Sequence, residues 1–230
     1  MKNEKTYKYD MHIHSFPCSV GGTDIREHID ALVEKGFSGM VITNHFYCGN
    51  NGVDRALPWE EFVNAYKQDY LYGLEYAQQL DFDLLFGLEE HVGNGLEVLI
   101  YGMDPEDIAA HPELKTGDIE TYVEVVHACG GMIYQAHPFR VRRYIKEPKL
   151  LDCLEQLDGI EVYNGGNQPE ENELAQQSAT ELGLKGIGGS DGHTPKKAGR
   201  SGIAVKERIR SNDDLIRILK SGEYTVLQNQ

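Results

Sequence analysis

Positive charge is scarce in this chain: 22 lysines and arginines stand against 37 aspartates and glutamates, a net charge of −15 with histidine neutral. No basic stripe interleaved with aromatics offsets that balance, and affinity for nucleic acid comes largely from Lys and Arg contacts to phosphate. The composition therefore argues against a dedicated nucleic-acid partner. It leaves room for a small phosphorylated substrate, because bound divalent cations can reverse the local field. Cysteine is also sparse. The four present (Cys18, Cys48, Cys129 and Cys153) form no Cys-x-x-Cys pair, which speaks against a disulfide framework or a zinc finger and for a reducing compartment. Apolar runs fall far short of the about 20 residues that cross a bilayer, and the polar start Met1-Lys-Asn-Glu-Lys5 leads into no signal-peptide core. No membrane association and a cytoplasmic location are expected. Linkers and low-complexity tracts are absent as well, so one domain spanning 1–230 is expected.

What the chain does contain is a repeated arrangement. Tyr7 to His14 alternates as a strand, which sets His12 and His14 on one face with their imidazoles side by side. Paired strand histidines can be hydrogen-bonded core residues or half of a metal site. Apolar strand patterns then recur, each closing on a ligand-type residue: Gly39 to His45, Phe82 to Glu89, Met132 to His137, Gly159 to Asn164, and Leu184 to Asp191 and His193. Between them lie helical patterns, from Asp24 to about Lys35 with Thr23 or Asp24 as N-cap, from Pro58 to about Leu80, from about Ile119 to Cys129, and from about Gln168 to Leu182. Leu96 to Tyr101 is a further strand followed by an irregular acidic segment, and Ser201–Val205 and Tyr224–Leu227 flank a last helix, Asp213 to Lys220. Alternating strands and helices imply an α/β fold with a mainly parallel sheet. In a β/α barrel the C-terminal strand ends meet at one rim, and no Gly-x-Gly-x-x-Gly follows the first strand to favour an open doubly wound sheet.

Five stretches, Asp10-x-His12-x-His14-Ser15, Thr43-Asn-His45, Gly87-Leu-Glu89, Ala136-His137-Pro138 and Gly189-Ser-Asp191-Gly-His193, resemble in order the motifs of the PHP (polymerase and histidinol phosphatase) superfamily over roughly residues 7 to 205. The resemblance implies a distorted (β/α)7 barrel and a site of two or three divalent ions, zinc, manganese or iron, that hydrolyses phosphoesters. Carried over by position, it makes His12, His14, His45, Glu89, His137, Asp191 and His193 metal ligands. Asn44 stands where many members have Asp. Val20 and Leu99 lie near the places of two further histidine ligands, so two ions are expected to be held firmly and a third only in part.

Imidazole and carboxylate ligands suit such ions and leave a position open for water. A metal-bound water loses a proton near neutrality, and two ions can clamp the attacking and leaving oxygens, so no serine or cysteine nucleophile is required. Glu89 is the candidate bridge, Asp191 and His193 are the candidate catalytic residues, and Asp10 is expected to buttress an imidazole. Arg140, three beyond His137, could hold a substrate phosphate or pair with a surface acid. Glu161 reads as structural, His91 as a possible replacement ligand, and Cys18 and Cys48 as loop residues near the rim. His28, His111 and His127 read as surface or capping residues. The expected activity is a metal-dependent phosphoesterase for a small phosphorylated or nucleotide-like substrate. The alternatives are hydrolysis of another bond, such as an amide, and a non-catalytic metal-binding regulatory module.

Overall fold

The computed structural model describes residues 5–228. In chain order the elements are β1 (Tyr7–Ile13), α1 (Ile25–Glu34), β2 (Gly39–Ile42), α2 (Trp59–Gln79), β3 (Asp83–Gly93), β4 (Leu96–Tyr101), α3 (Pro105–Ala110), α4 (Ile119–Ala128), β5 (Met132–Gln135), β6 (Gly159–Asn164), α5 (Pro169–Leu182), β7 (Gly186–Gly189), β8 (Ser201–Val205), α6 (Asn212–Ser221) and β9 (Tyr224–Gln228). The sheet runs β7-β6-β5-β4-β3-β2-β1-β8-β9. It curls until β1 meets the residues after β7, where the His14 N–H donates to the Gly192 carbonyl at 3.1 Å. The result is the expected α/β barrel, nearly closed.

The distortion has an identifiable cause. Strand β4 is antiparallel to both β3 and β5, whereas β1, β2 and β3 and likewise β5, β6 and β7 pair in parallel. Between β3 and β4 stands Asn94-Gly95, with φ of 55° and 83°. Two successive positive φ values match the tight turn whose twist suits a hairpin, and Asn-Gly is its strongest sequence signal. Strand β3 therefore continues past Glu89 to Gly93 as a hairpin arm. The acidic segment read as irregular contains α3, started by Pro105 in its first turn, with the Asp107 carboxylate accepting the Asp104 N–H at 3.0 Å.

Interior side chains from several strands, including Met11, Val41, Leu85, Leu99, Tyr101 and Tyr134, form one buried cluster beneath the rim. Strand β7 must pass so close to β1 that a Cβ added to Gly189 would lie 2.2 Å from the Cβ of His12. Outside, α1 buries Ile25, Ile29 and Leu32 against Ile13, Met40 and Ile42. His28 belongs to that stripe rather than to the surface, because it follows Ile25 by three and precedes Leu32 by four. Its Nε2 meets the Thr23 hydroxyl at 3.0 Å, and burial pushes its pKa down to about 4.

Candidate metal centre

Five strands, β1, β2, β3, β5 and β7, bring the seven candidate ligands into one cluster. Glu89 lies at its centre: Oε1 is 3.1 Å from Nε2 of both His12 and His137, while Oε2 is 2.9 Å from His45 Nδ1 and 3.4 Å from His14 Nε2. Asp191 Oδ1 sits 3.3 Å from His14 Nε2 and 3.5 Å from His193 Nδ1. His137 and Asp191 hold positive φ values of 25° and 50°. For residues other than glycine that is a cost borne where the surroundings over-determine the backbone.

What turns the imidazoles is a set of residues the motifs did not reveal. Glu161 Oε1 accepts from His12 Nδ1 at 3.0 Å, and its Oε2 accepts the His137 N–H at 3.0 Å. The buttressing role expected of Asp10 therefore falls to Glu161. A bulge between Asp10 and Ile13 takes Asp10 off the alternation it would share with His12 and His14. Its carboxylate instead accepts the backbone N–H groups of His12, Ser190 and Gly199 at 3.2, 2.9 and 2.8 Å.

His14 is set by a longer chain. Asp69 on α2 accepts from the Asn44 amide at 2.8 Å and from the Ser15 hydroxyl, which fixes the Asn44 amide with its oxygen toward Ser19. The Ser19 hydroxyl donates to that oxygen at 2.9 Å, so it can only accept from the His45 N–H at 3.0 Å and from His14 Nδ1 at 3.1 Å. Nδ1 of His14 thus carries the proton and Nε2 faces the cluster bare. An outer partner that fixes a ligand's tautomer typically contributes about 10- to 100-fold in metal affinity. Asp69→Ala is expected to cost that much in a metal-competition titration, and NMR of the His14 ring nitrogens should lose its single tautomer. An unchanged ring signal would remove Asp69 from this role.

The donors fit divalent cations. Nε2 of His12 and Nε2 of His14 lie 2.9 Å apart with both Nδ1 atoms already committed outward, so two lone pairs face each other unless a cation intervenes. His45 Nδ1 is buried without a hydrogen bond, although Glu89 Oε2 is 2.9 Å away, because their relative direction makes none. Four overlapping groups bring their donor atoms within 4.8 Å of one another: His14, His45, His193; His12, Glu89, His137; His12, His14, Asp191; and His45, Glu89, Glu97. Burial works to raise the Glu89 pKa, but His12 and the other imidazoles hold it well below the usual carboxylate range. Asp191 is held low in the same way, by Arg140 and His12 against burial.

Glu97 was missed. Burial and the neighbouring Glu89 charge push its pKa up to about 8, and it lies 3.4 Å from His137 Nε2 and 3.9 Å from His45 Nδ1. The visible signal was a lone charge in the apolar strand 96–101, two residues before Leu99 and hence on the same face. Leu99 packs into the barrel interior below it.

Other candidates go elsewhere. His91 Nε2 accepts the Gly95 N–H at 3.0 Å and so braces the β3–β4 turn, although its side chain borders the cleft. Cys18 is buried and donates to the Tyr66 carbonyl, while Cys48 is exposed at the cleft edge. Val20 is exposed. His111 meets Glu113 and His127 meets Asp158, both near the surface as expected. Arg140 is buried rather than paired with a surface acid. Its Nη2 is 2.5 Å from Asp191 Oδ2 and 2.8 Å from Asn164 Oδ1, and its Nε donates to Asn167 Oδ1 at 2.8 Å. Together with the ligand candidates it lines a cleft of 480 Å³.

Residues 169–224 match the PHP-associated family. A 5'-3' exoribonuclease of Haemophilus influenzae is 32% identical over 94 residues, which cover 38% of this chain and 33% of that protein. A two-domain protein of Bacteroides vulgatus containing a predicted PHP-like metal-dependent phosphoesterase has a TM-score of 0.68 at 20% identity, over 98% of this chain and 65% of the other. The lesion-specific endonuclease PfuEndoQ of Pyrococcus furiosus has a TM-score of 0.66 at 13% identity, over 96% and 58%. This chain thus spans only part of each relative, and at such identities the solved structures establish a shared PHP-type fold.

One expectation is corrected by these relatives. The net charge of −15 argued against a nucleic-acid partner, yet proteins similar to this chain in sequence or fold include an exoribonuclease and an endonuclease Q bound to a 27-mer duplex with an abasic lesion. The physical reason is that net charge sums the whole surface, whereas a site's field is set by the groups and cations that line it. As for membranes, no helix among the described residues is long and apolar enough to cross one.

Proposed function

We propose, from the premise of a PHP-type fold with a PHP-associated segment over residues 169–224, that this chain is a metal-dependent hydrolase of phosphoesters on nucleotide-like or nucleic-acid substrates. The observation that carries this reading is the facing pair of Nε2 atoms of His12 and His14, 2.9 Å apart, above the central carboxylate of Glu89. His12, His14, His45, Glu89, His137, Asp191 and His193 would hold the ions, with Glu89 as the bridge. When bound, zinc, manganese or iron would supply an activated water and a clamp on the phosphoester oxygens.

The chain's own residues do the rest. Glu161 and the Ser19–Asn44–Asp69 chain hold His12 and His14 with their Nε2 atoms bare. His193 Nδ1 donates to the Asp191 carbonyl at 3.3 Å, which leaves its Nε2 free in the same way. Arg140 keeps Asp191 Oδ2 turned away from the imidazoles, so Oδ1 alone faces them, and the guanidinium borders the cleft where a substrate phosphate would lie. We assign Glu97 to a third ion position, completing with His45 and Glu89 what Leu99 cannot. Glu97→Gln is then expected to lower the metal content by about one ion per chain in element-resolved anomalous diffraction. Unchanged occupancy at every position would remove Glu97 from the ligand set.

The decisive experiment is a hydrolysis screen with zinc, manganese and iron over phosphomonoesters, phosphodiesters and 5'-phosphorylated oligonucleotides. Metal-dependent release of phosphate or nucleotides is expected. Activity confined to amide or other non-phosphorus substrates would overturn the reading.

A further inference from the structure

A second cavity, larger than the cleft, lies beside it. This groove of 1140 Å³ is lined by Lys8, Lys35, Lys196 and Arg200, with Glu173 as its one carboxylate among the described residues. In a chain of net charge −15 that is a local reversal of sign. None of the four cations forms an ion pair with a carboxylate among the described residues. Lys35 is instead held by its Nζ to the Pro195 and Ala198 carbonyls, which fixes its charge in place without neutralising it. One partly exposed aromatic ring, Tyr163, and the amides of Asn167, Asn172, Gln176 and Gln228 complete the walls, with Phe37 buried beneath Lys8.

The groove abuts the metal centre. Asn164 and Asn167 line it, and both accept from Arg140 at 2.8 Å. Arg140 in turn borders the cleft and touches Asp191. One layer of side chains therefore separates the two cavities at the C-terminal end of β6.

We propose that this groove is a binding track for single-stranded nucleic acid, receiving the stretch of strand that continues from the phosphate held at the metal centre. Cations spaced along a groove track the phosphates, and aromatic faces stack bases without regard to sequence. Only the strand's reacting end rests on the phosphoesterase reading. The groove's affinity for the strand is a property of its own residues, none of which is assigned to the metal centre.

The test is fluorescence anisotropy of the full chain with a labelled single-stranded oligonucleotide in EDTA, over a salt series. The double variant Lys196→Ala/Arg200→Ala is expected to weaken binding by about tenfold or more and to lower the slope of log Kd against log salt by about 1.4, roughly 0.7 for each single-strand phosphate contact removed. Tyr163→Ala is expected to weaken binding by about fivefold or more with the salt slope unchanged, as a lost stacking contact would. Hydrolysis of bis(p-nitrophenyl) phosphate by the double variant should match the parent, because neither residue lies in the cleft. Equal affinity and slope in parent and double variant would overturn the track. So would competition by a mononucleotide as effective as by the oligonucleotide, which would mark a small-anion pocket. Strand binding in a chain that hydrolyses no phosphoester would sink the proposed activity and leave the track standing.

Discussion

Glu89→Gln is expected to lower phosphoester hydrolysis at least about a thousandfold, a rise of roughly 4 kcal/mol in the barrel-rim reaction's activation free energy. Glu89 is the carboxylate that reaches four imidazoles at once, His12 and His137 through one oxygen and His45 and His14 through the other. Glutamine keeps the shape but replaces one oxygen with a donor amide, which would point N–H at ring nitrogens that hold lone pairs. It also removes the negative charge that offsets two cations at close range. Metal analysis after dialysis should show fewer ions, and circular dichroism should be unchanged, since the apolar interior beneath the site is untouched. A variant with full metal content and parental rate would show that Glu89 is not the bridge.

Asp10→Ala is expected to be the most destabilising single change near the site. It would leave three buried backbone N–H groups, those of His12, Ser190 and Gly199, without an acceptor. Each orphaned donor costs about 1–3 kcal/mol. Against this stands the relief of no longer burying a carboxylate, so we expect a net loss of about 2–4 kcal/mol at neutral pH. For a chain of this length that is a fall of roughly 10 °C in Tm. The pH dependence has a definite sign. Burial raises the folded-state pKa of Asp10 to about 6, above the ordinary value of about 3.9. Its stabilising contribution is therefore complete below the unfolded value and is lost as pH rises through 6. The difference between parent and variant should widen as pH is lowered from 7 towards 4, which paired thermal melts would read. A constant difference, or one that narrows, would contradict the assignment.

The sequence disclosed the parts of this centre that sit at regular places. His12, His14, His45, His137, Asp191 and His193 stand near or beyond strand ends, and Glu89 stands opposite His45 where the parallel part of β3 gives way to its hairpin arm, so alternation plus strand order is enough to predict that they meet. The features it hid depend on where alternation breaks. Asp10 and Glu161 exchange expected roles because of a bulge, which no single-sequence pattern announces. Ser19 and Asp69 orient His14 from a loop and from a helix far away in the chain, a meeting that only the packing of α2 against the rim creates. Asn94-Gly95 is a legible hairpin signal: it implies an antiparallel β4, which places Glu97 on the strand face beside Glu89. The net charge misled because a sum carries no position, and the four cations of the groove beside Arg140 come from three separate segments.

The way β1 is held has a consequence for the order in which the protein can be made. One edge of β1 pairs with β2, but the other pairs with β8, through Tyr7 opposite Val205 and Tyr9 opposite Ile203, and Asp10 waits for Ser190 and Gly199. Once the chain has been made as far as β4, His12, His14, His45 and Glu89 are present together with β2, yet the partners of the other edge of β1 and the acceptor contacts of Asp10 to Ser190 and Gly199 are not. Contacts so distant in sequence form late and slowly. The growing chain therefore carries four of its seven ligand candidates through about half of its length before β8 exists, and a product terminated between His193 and Ser201 would contain all seven candidates but lack the strand that pairs with the second edge of β1.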